Sequence, residues 1–211
     1  MKKIHYRNIG YPKTGTTWLY YQFLYHPNVD CKPDLDYKEF DPDNKESYFN
    51  FYKDYDVSFN LRTHIYNFPE RLYYATHLSF TFRNLYDLLN SWYNYLRYNP
   101  NYTSTVEEFL DKESYNFKLI TDVEKIFNIW QTYNVKWLFY DDLMKDNKEY
   151  MYNLCDFIGI ERYYDPRVKV KFKTDITQQI LFEDDSIIKY INDKICIIED
   201  HTHRDLTHWK K

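Results

Sequence analysis

The stretch Gly10–Trp18, GYPKTGTTW, decides the fold of this chain, because it has the glycine spacing of a phosphate-binding P-loop. Gly10 and Gly15 fit the pattern G-x-x-x-x-G. In a loop that binds ATP, lysine follows the second glycine, but here Thr16 stands at that position and Lys13 lies inside the loop. A glycine loop that leads into a helix offers an anion its backbone N–H groups and the positive end of the helix dipole. The stretch therefore predicts a phosphate site that differs from an ATP site.

Around this loop, short apolar strands alternate with helical stretches, which indicates an α/β fold. A strand that ends near Ile9 leads into the loop, and a helix is predicted over residues 16–25. Strands are also predicted at residues 74–82 and 135–140, each of them before a helix. We expect one domain over residues 1–211, with three α/β/α layers around a central parallel sheet, like the P-loop-containing nucleotide hydrolases.

Apolar residues at helical spacing predict which faces of two helices are buried. The two stripes are Leu85, Leu88, Leu89 and Trp92 in one helix, and Val123, Ile126, Phe127 and Trp130 in another. Thr105 and Glu108 have the spacing of a capping box, which predicts a helix start. Gly159 is expected to end a further helix.

Composition and charge exclude several classes of function. The net charge of −4 and the pI near 6.0 argue against a general surface for nucleic acid or anionic membrane. No stretch is as long and apolar as a membrane span, and the first residues do not have the apolar segment of a secretory leader. Cys31, Cys155 and Cys196 lie in no metal-ligand spacing, so we expect reduced thiols, a cytoplasmic location and no metal. The 25 tyrosines and 15 phenylalanines fit an AT-rich genome, and a viral or bacterial origin would agree with that.

The string YPKTGTTW, residues 11–18, resembles the 5′-phosphosulfate-binding loop of the sulfotransferases. Members of that family take their sulfuryl group from 3′-phosphoadenosine 5′-phosphosulfate (PAPS). The resemblance implies that Lys13 acts on the leaving phosphate and that Trp18 stacks on adenine. It also implies a cradle for the 5′-phosphate, made of Thr14, Gly15, Thr16 and Thr17.

A second match concerns the additional pocket that the 3′-phosphate of PAPS requires. The stretch RNLYDLLNS, residues 83–91, resembles the family pattern R-N-P-x-D-x-x-x-S and implies that Arg83 and Ser91 bind this phosphate. Leu85 replaces the proline of the pattern. Arg83 also follows a predicted strand, and open α/β sheets bind their ligands at the carboxyl ends of strands.

A third segment, WLFYDDLMKDNKEYMYNLCDFIGI, resembles a strand–helix unit of the family and implies that Tyr140 lies near adenine. Together the matches extend over residues 9–160, whereas the last part of the chain resembles the family poorly. The usual C-terminal Arg-Lys-Gly signature is absent, and the tail at 201–211 is expected to be solvated.

Two residues compete for the role of general base, which sulfuryl transfer to an alcohol requires. The stretch LRTHIYNFP, residues 61–69, resembles the segment that carries the base histidine of cytosolic sulfotransferases, which implies His64. The stretch YKEF, residues 37–40, resembles the segment that carries the base glutamate of the glycan and bacterial branch, which implies Glu39. A glutamate base would need a pKa raised by partial burial, and both assignments stay open at this point.

We therefore expect a PAPS-dependent sulfotransferase that acts by in-line displacement on a hydroxyl or amine of a small-molecule or glycan acceptor. One alternative is a non-catalytic nucleotide-binding or virion-associated protein on the same fold. A small P-loop kinase is a further alternative, which the missing lysine after Gly15 disfavours.

Overall fold

The computed structural model describes residues 4–31, 57–63, 75–130, 133–169 and 178–211, with the backbone alone at 57–63 and at Cys31. The chain forms two compact units. The first unit consists of Met1–Phe82 and Ile129–Lys171, and the second of Arg83–Asn128 and Phe172–Lys211. That the two units make up one domain stays a prediction.

A parallel sheet forms the centre of the first unit. The strands in the described residues are β1 (Ile4–Gly10), β2 (Asp30–Cys31), β3 (Val57–Thr63), β4 (His77–Phe82) and β5 (Val135–Phe139). Their order across the sheet is β2-β3-β1-β4-β5, and every neighbouring pair is parallel. The predicted central parallel sheet and the predicted strands β1, β4 and β5 are confirmed, whereas β2 and β3 were not predicted.

Helices follow most of the strands. Those in the described part of the chain are α1 (Thr16–Leu24), α2 (Leu85–Leu96), α3 (Val106–Leu110), α4 (Tyr115–Thr121), α5 (Val123–Trp130), α6 (Tyr140–Lys145), α7 (Asn147–Ile158) and α8 (Asp185–Thr202), with a 3-10 helix at Thr207–Trp209. Helix α1 ends just before His26-Pro27, because a proline disfavours helical backbone in the residue before it. Helix α7 ends at Gly159, as predicted, with a φ of +80°. None of the helices in the described ranges is long and apolar enough to cross a membrane.

The strand order places the glycine loop at a point where open sheets bind ligands. From β1 the chain first builds β2 and β3 on one side, and then β4 and β5 on the other. Gly10, the last residue of β1, pairs with Thr63 of β3 and with Thr81 of β4, so these strands end at the same edge. The loop after β1 therefore lies at the carboxyl edge of the sheet, at its topological switch point.

Side chains on both faces of β1 and β4 are buried, as expected for parallel strands inside a sheet. On one face, Tyr6 and Leu138 belong to a core cluster with α1 and α7, to which the helices contribute Trp18, Leu19, Phe23, Tyr150, Met151, Leu154, Cys155 and Ile158. On the other face, the fully buried rings of Phe80 and Phe82 lie 4.8 Å apart. The ring of Trp137 lies 6.0 Å and 5.7 Å from them, which continues the aromatic layer onto β5.

The helical patterns that the sequence predicts are confirmed. Both predicted apolar stripes, on α2 and α5, are buried along their whole length. The capping box at the start of α3 is present, with the Thr105 hydroxyl accepting from Glu108 N–H at 3.2 Å and the Glu108 carboxylate accepting from Thr105 N–H at 2.9 Å.

The prediction of a solvated tail at 201–211 is wrong. Leu206 and Trp209 are buried, and the Leu206 N–H donates to Glu199 Oε1 at 2.7 Å. Lys210 forms an ion pair with the same carboxylate. The Asn84 side chain donates to the Trp209 carbonyl at 3.4 Å, so the tail packs within the second unit.

Candidate active site

The entrance of the glycine loop is anchored by an aromatic side chain. The ring of Tyr11, fully buried, lies 5.2 Å from Phe80 and 6.4 Å from Phe82, edge-on to both. Gly10 has a φ of +147°, and a Cβ there would lie 3.4 Å from the Thr81 backbone nitrogen. The chain therefore leaves β1 in a conformation that favours glycine and enters the loop through a fixed residue.

The middle of the loop holds Lys13 in an uncommon backbone conformation. Its φ is +66°, in the left-handed region that residues other than glycine rarely adopt. The next residue, Thr14, is 3% exposed, and its hydroxyl donates to the Tyr11 carbonyl at 2.8 Å. This hydrogen bond closes the turn that carries Lys13.

The loop ends at a glycine that has little room for a side chain. Gly15 has a φ of +84° and precedes the first residue of α1. A Cβ there would lie 2.5 Å from Leu143 Cδ2 and 3.4 Å from the ring of Tyr140. The structure thus brings Tyr140, at the start of α6, beside the loop.

Thr16 and Thr17 form the first turn of α1, where Thr16 is half-buried and Thr17 is exposed. The first N–H groups of a helix have no partner within the helix, and they carry the positive end of its dipole. Together with Lys13, these two threonines give the loop a donor set suited to a phosphate group.

Helix α1 and the turn that follows it are fixed by three polar side chains, which are spaced four residues apart. They bind residues 161–168, which we call the return segment. The Trp18 indole donates to the Val168 carbonyl at 3.2 Å. The Gln22 amide donates to the Asp165 carbonyl at 3.0 Å and accepts from the Asp165 N–H at 2.9 Å. These contacts hold the helix that carries the loop, and no local motif in the sequence indicated them.

His26 is the third of these side chains. Its Nδ1 accepts from the Asn28 N–H at 3.1 Å, which places the proton on Nε2, 3.0 Å from the Glu161 carbonyl oxygen that accepts it. Burial lowers the pKa of His26, partly offset by the Glu161 carbonyl and carboxylate. Both ring nitrogens of His26 thus bind backbone groups, and the lowered pKa favours the neutral ring.

Trp18 lies within the core cluster, where it is 3% exposed and its ring meets Tyr150 edge-on at 6.0 Å. Its indole N–H is used by the return segment. The structure therefore gives Trp18 a packing role, and its stacking on adenine stays a prediction.

Buried hydroxyl groups pair on the sheet face that carries α1 and α7. The Tyr6 hydroxyl lies 2.6 Å from the Ser79 hydroxyl, which also accepts from the Asn8 amide at 2.8 Å. The Tyr150 hydroxyl lies 3.3 Å from that of Thr81. Burial raises the pKa of both tyrosines far above the ordinary value, so they are neutral near pH 7 and do not serve as bases.

The predicted residues of the 3′-phosphate pocket belong to the second unit. Arg83 is half-buried and directly precedes Asn84, the N-cap of α2, whose side chain accepts from the Tyr86 N–H at 3.0 Å. Ser91 is buried in α2, two turns further along the helix. Their role at a phosphate stays a prediction.

The two candidate bases, His64 and Glu39, lie outside the described residues. His64 is the residue that follows the last residue of β3 in the sequence. No group of three or more metal-ligating side chains occurs among the residues that the structure describes.

The loop and its sheet have the architecture of a P-loop-like protein, with the glycine loop at the carboxyl edge of a parallel sheet. Comparison with known families identifies it further, because the sulfotransferase domain family matches residues 8–180. This chain belongs to the sulfotransferase family, whose members transfer a sulfuryl group. No curated protein matches the sequence at a significant level.

The chain is also similar to several solved structures. A sulfotransferase from Alicyclobacillus acidocaldarius has a TM-score of 0.72, with 16% identity over 100% of both chains. The sulfotransferase domain of the olefin synthase of Synechococcus PCC 7002 has a TM-score of 0.59, with 13% identity over 98% of this chain and 97% of its own. The mouse sulfotransferase SULT7A1 complexed with PAP has a TM-score of 0.49, with 17% identity over 92% of this chain and 65% of its own. The first two likenesses show the fold, and the predicted three-layer α/β/α class is confirmed.

Proposed function

We propose that this sulfotransferase takes its sulfuryl group from PAPS and transfers it to a hydroxyl or amine of a small-molecule or glycan acceptor. The observation that carries the proposal is Lys13, held in a left-handed turn between Gly10 and Gly15 at the head of α1. A lysine inside the loop can reach the bridging oxygen of a bound 5′-phosphosulfate. In an ATP site, by contrast, the lysine follows the second glycine.

The proposed step is an in-line displacement at sulfur. The acceptor oxygen or nitrogen forms a bond to sulfur while the bond from sulfur to the 5′-phosphate oxygen breaks. Lys13 stabilises the negative charge that develops on that oxygen, and the N–H groups of Gly15, Thr16 and Thr17 bind the phosphate. The acceptor proton passes to a base, and 3′-phosphoadenosine 5′-phosphate (PAP) leaves.

Further residues are assigned to the donor by the family resemblance. Arg83 and Ser91 bind the 3′-phosphate, and Tyr140 contacts adenine; the position of Tyr140 beside Gly15 supports its assignment. We propose either His64 or Glu39 as the base. Replacing the true base by an isosteric neutral residue, as in His64→Asn or Glu39→Gln, should lower kcat by about 100-fold or more while PAP binding persists.

Thermal unfolding with added nucleotides tests the donor. PAP, ADP and ATP at equal concentration are compared, because a ligand at about 100 times its Kd stabilises the folded state by about 2.7 kcal/mol. We expect a clear rise in Tm with PAP and little change with ADP or ATP. Stabilisation by ATP without stabilisation by PAP would contradict the proposal and favour a kinase.

Transfer of labelled sulfate from PAPS to a panel of alcohols, amines and glycans tests catalysis. We expect Lys13→Ala to lower the transfer rate by about 10²- to 10³-fold, since it removes a donor at the developing charge. Lys125→Ala, at an exposed position of α5, is the matched control. A chain that binds PAP but transfers sulfate to no acceptor would be the non-catalytic nucleotide-binding protein.

A further inference from the structure

The geometry points to Thr14 as a positioning residue that acts through Lys13, and not as a side-chain ligand of the donor phosphate. This inference rests on the proposed function, since it concerns how the lysine of the loop is held for transfer. It differs from the role that the family resemblance implies, in which Thr14 belongs to the phosphate cradle.

The first argument is the use of the Thr14 hydroxyl proton. A hydroxyl has one proton to donate, and that of Thr14 goes to the Tyr11 carbonyl at 2.8 Å. A phosphate oxygen accepts hydrogen bonds and needs a donor. With the side chain 3% exposed and its proton used inside the loop, the hydroxyl is not available to the phosphate.

The second argument is the backbone conformation of Lys13, which lies between Tyr11 and Thr14. Lys13 has a φ of +66°, and a left-handed backbone is unfavourable for a residue with a Cβ. Such a conformation persists only when the surrounding contacts fix it. The Thr14–Tyr11 hydrogen bond spans Lys13 and offsets part of that strain.

The third argument is that both ends of the loop are fixed independently. Tyr11 is held by the rings of Phe80 and Phe82, and Gly15 lies against Leu143. Between these anchors, the Thr14 hydroxyl ties the turn to the fixed carbonyl of Tyr11. Its loss would allow the Lys13 backbone to relax and move the ammonium group, and a shift of about 1 Å can lower a rate by about 100-fold.

The test is a double-mutant cycle between Thr14 and Lys13. Thr14→Val keeps the shape of the side chain and removes the hydroxyl, whereas Thr14→Ser keeps the hydroxyl. We expect Thr14→Val to lower kcat by about 10- to 100-fold with PAP affinity changed less than about threefold. Thr14→Ser should stay within about threefold of wild type. In the Lys13→Ala background, Thr14→Val should cause no further loss of kcat.

Two outcomes overturn the inference. One is an equal loss of kcat from Thr14→Val with and without the lysine. The other is a fall in PAP affinity as large as the fall in kcat, which would make the hydroxyl a direct ligand. If Thr14→Val does not fold, Thr14→Ala compared with Thr14→Ser isolates the hydroxyl in the same assays.

A ligand-free measurement separates failure of this inference from failure of the proposed function. The Cα chemical shift of Lys13 reports its left-handed backbone in the absence of any donor. We expect Thr14→Val to move this shift and Thr14→Ser to leave it unchanged. An unchanged shift in Thr14→Val overturns the positioning role even if the chain binds no PAP, whereas absence of PAP binding by the wild type overturns only the donor assignment.

Discussion

The glycine loop of the first unit and the tail at 201–211 of the second are held by different kinds of contact. The loop is fixed largely through its backbone, by positive φ angles at Lys13 and Gly15 and by the absence of space for a Cβ at Gly15. The tail is fixed through side chains, since Glu199 binds both the Leu206 N–H and the Lys210 ammonium. A loop of the first kind tolerates few residue types, whereas a tail of the second kind depends on particular side-chain pairs.

The largest loss of stability is expected from a substitution at Gly15, because a side chain there would both strain the backbone and overlap with Leu143. Gly15→Ala should lower the free energy of unfolding by about 3 kcal/mol, since a left-handed alanine costs about 1 kcal/mol and overpacking adds about 2. Leu143, which the new Cβ would touch, is buried in the core and has little room to move.

Gly159→Ala is the matched control for this prediction. Gly159 has a similar φ of +80°, but a Cβ there would meet nothing within 4 Å. We expect a loss of about 1 kcal/mol, measured for both variants by urea unfolding. Equal losses of stability at the two glycines would show that the overlap with Leu143 contributes nothing. Lack of space for a Cβ would then not be what restricts position 15 to glycine.

A smaller effect is expected at Glu199, the α8 residue that holds the tail. Glu199→Ala removes the hydrogen bond to Leu206 and the ion pair with Lys210, so the free energy of unfolding should fall by about 2 kcal/mol. Glu113→Ala breaks a surface ion pair with Lys118 and should cost less than about 0.5 kcal/mol. If the two variants are equally stable in denaturant titration, the tail is not held by its side-chain pairs.

The smallest effect is a pH dependence from His26. Burial lowers its pKa in the folded state, whereas in the unfolded chain it titrates near about 6.5. As the pH falls, the unfolded state therefore binds a proton at a higher pH than the folded state does. The free energy of unfolding that His26 contributes is fully present above about pH 6.5 and falls as the pH drops below that value.

Unfolding free energies of the wild type and His26→Gln, measured between about pH 7.5 and 5, test this dependence. The variant should lack the decline that the histidine causes, because glutamine does not titrate in this range. Parallel curves for the two proteins would contradict the neutral, buried assignment of His26.

The sequence predicted those features that depend on the types of residues lying within a few positions of one another. Gly10 and Gly15 indicated the loop because the backbone there excludes other residues, and the apolar stripes of α2 and α5 indicated their buried faces. The capping box of Thr105 and Glu108 was predicted for the same reason, since its two hydrogen bonds join residues three apart.

The remaining features could not be predicted because they depend on residues distant along the chain. The tail was expected to be solvated, since nothing near Trp209 in the sequence shows that Asn84 and Glu199 lie close to this segment. The polar side chains of α1 gave no signal either, because their partners are backbone carbonyls of the return segment, which carry no sequence signature. β3 was missed although VSFNLRT alternates polar and apolar residues, which is itself typical of a strand.

The contacts of Trp18, Gln22 and His26 have a consequence for local unfolding. Hydrogen bonds from two successive turns of α1, and from His26 just after its end, attach it to the return segment, and these bonds are buried or partly buried. A helix attached along its length in this way opens together with its partner in one cooperative step. Hydrogen exchange at the Asp165 amide, which Gln22 binds, should therefore report the opening of the helix that carries the glycine loop.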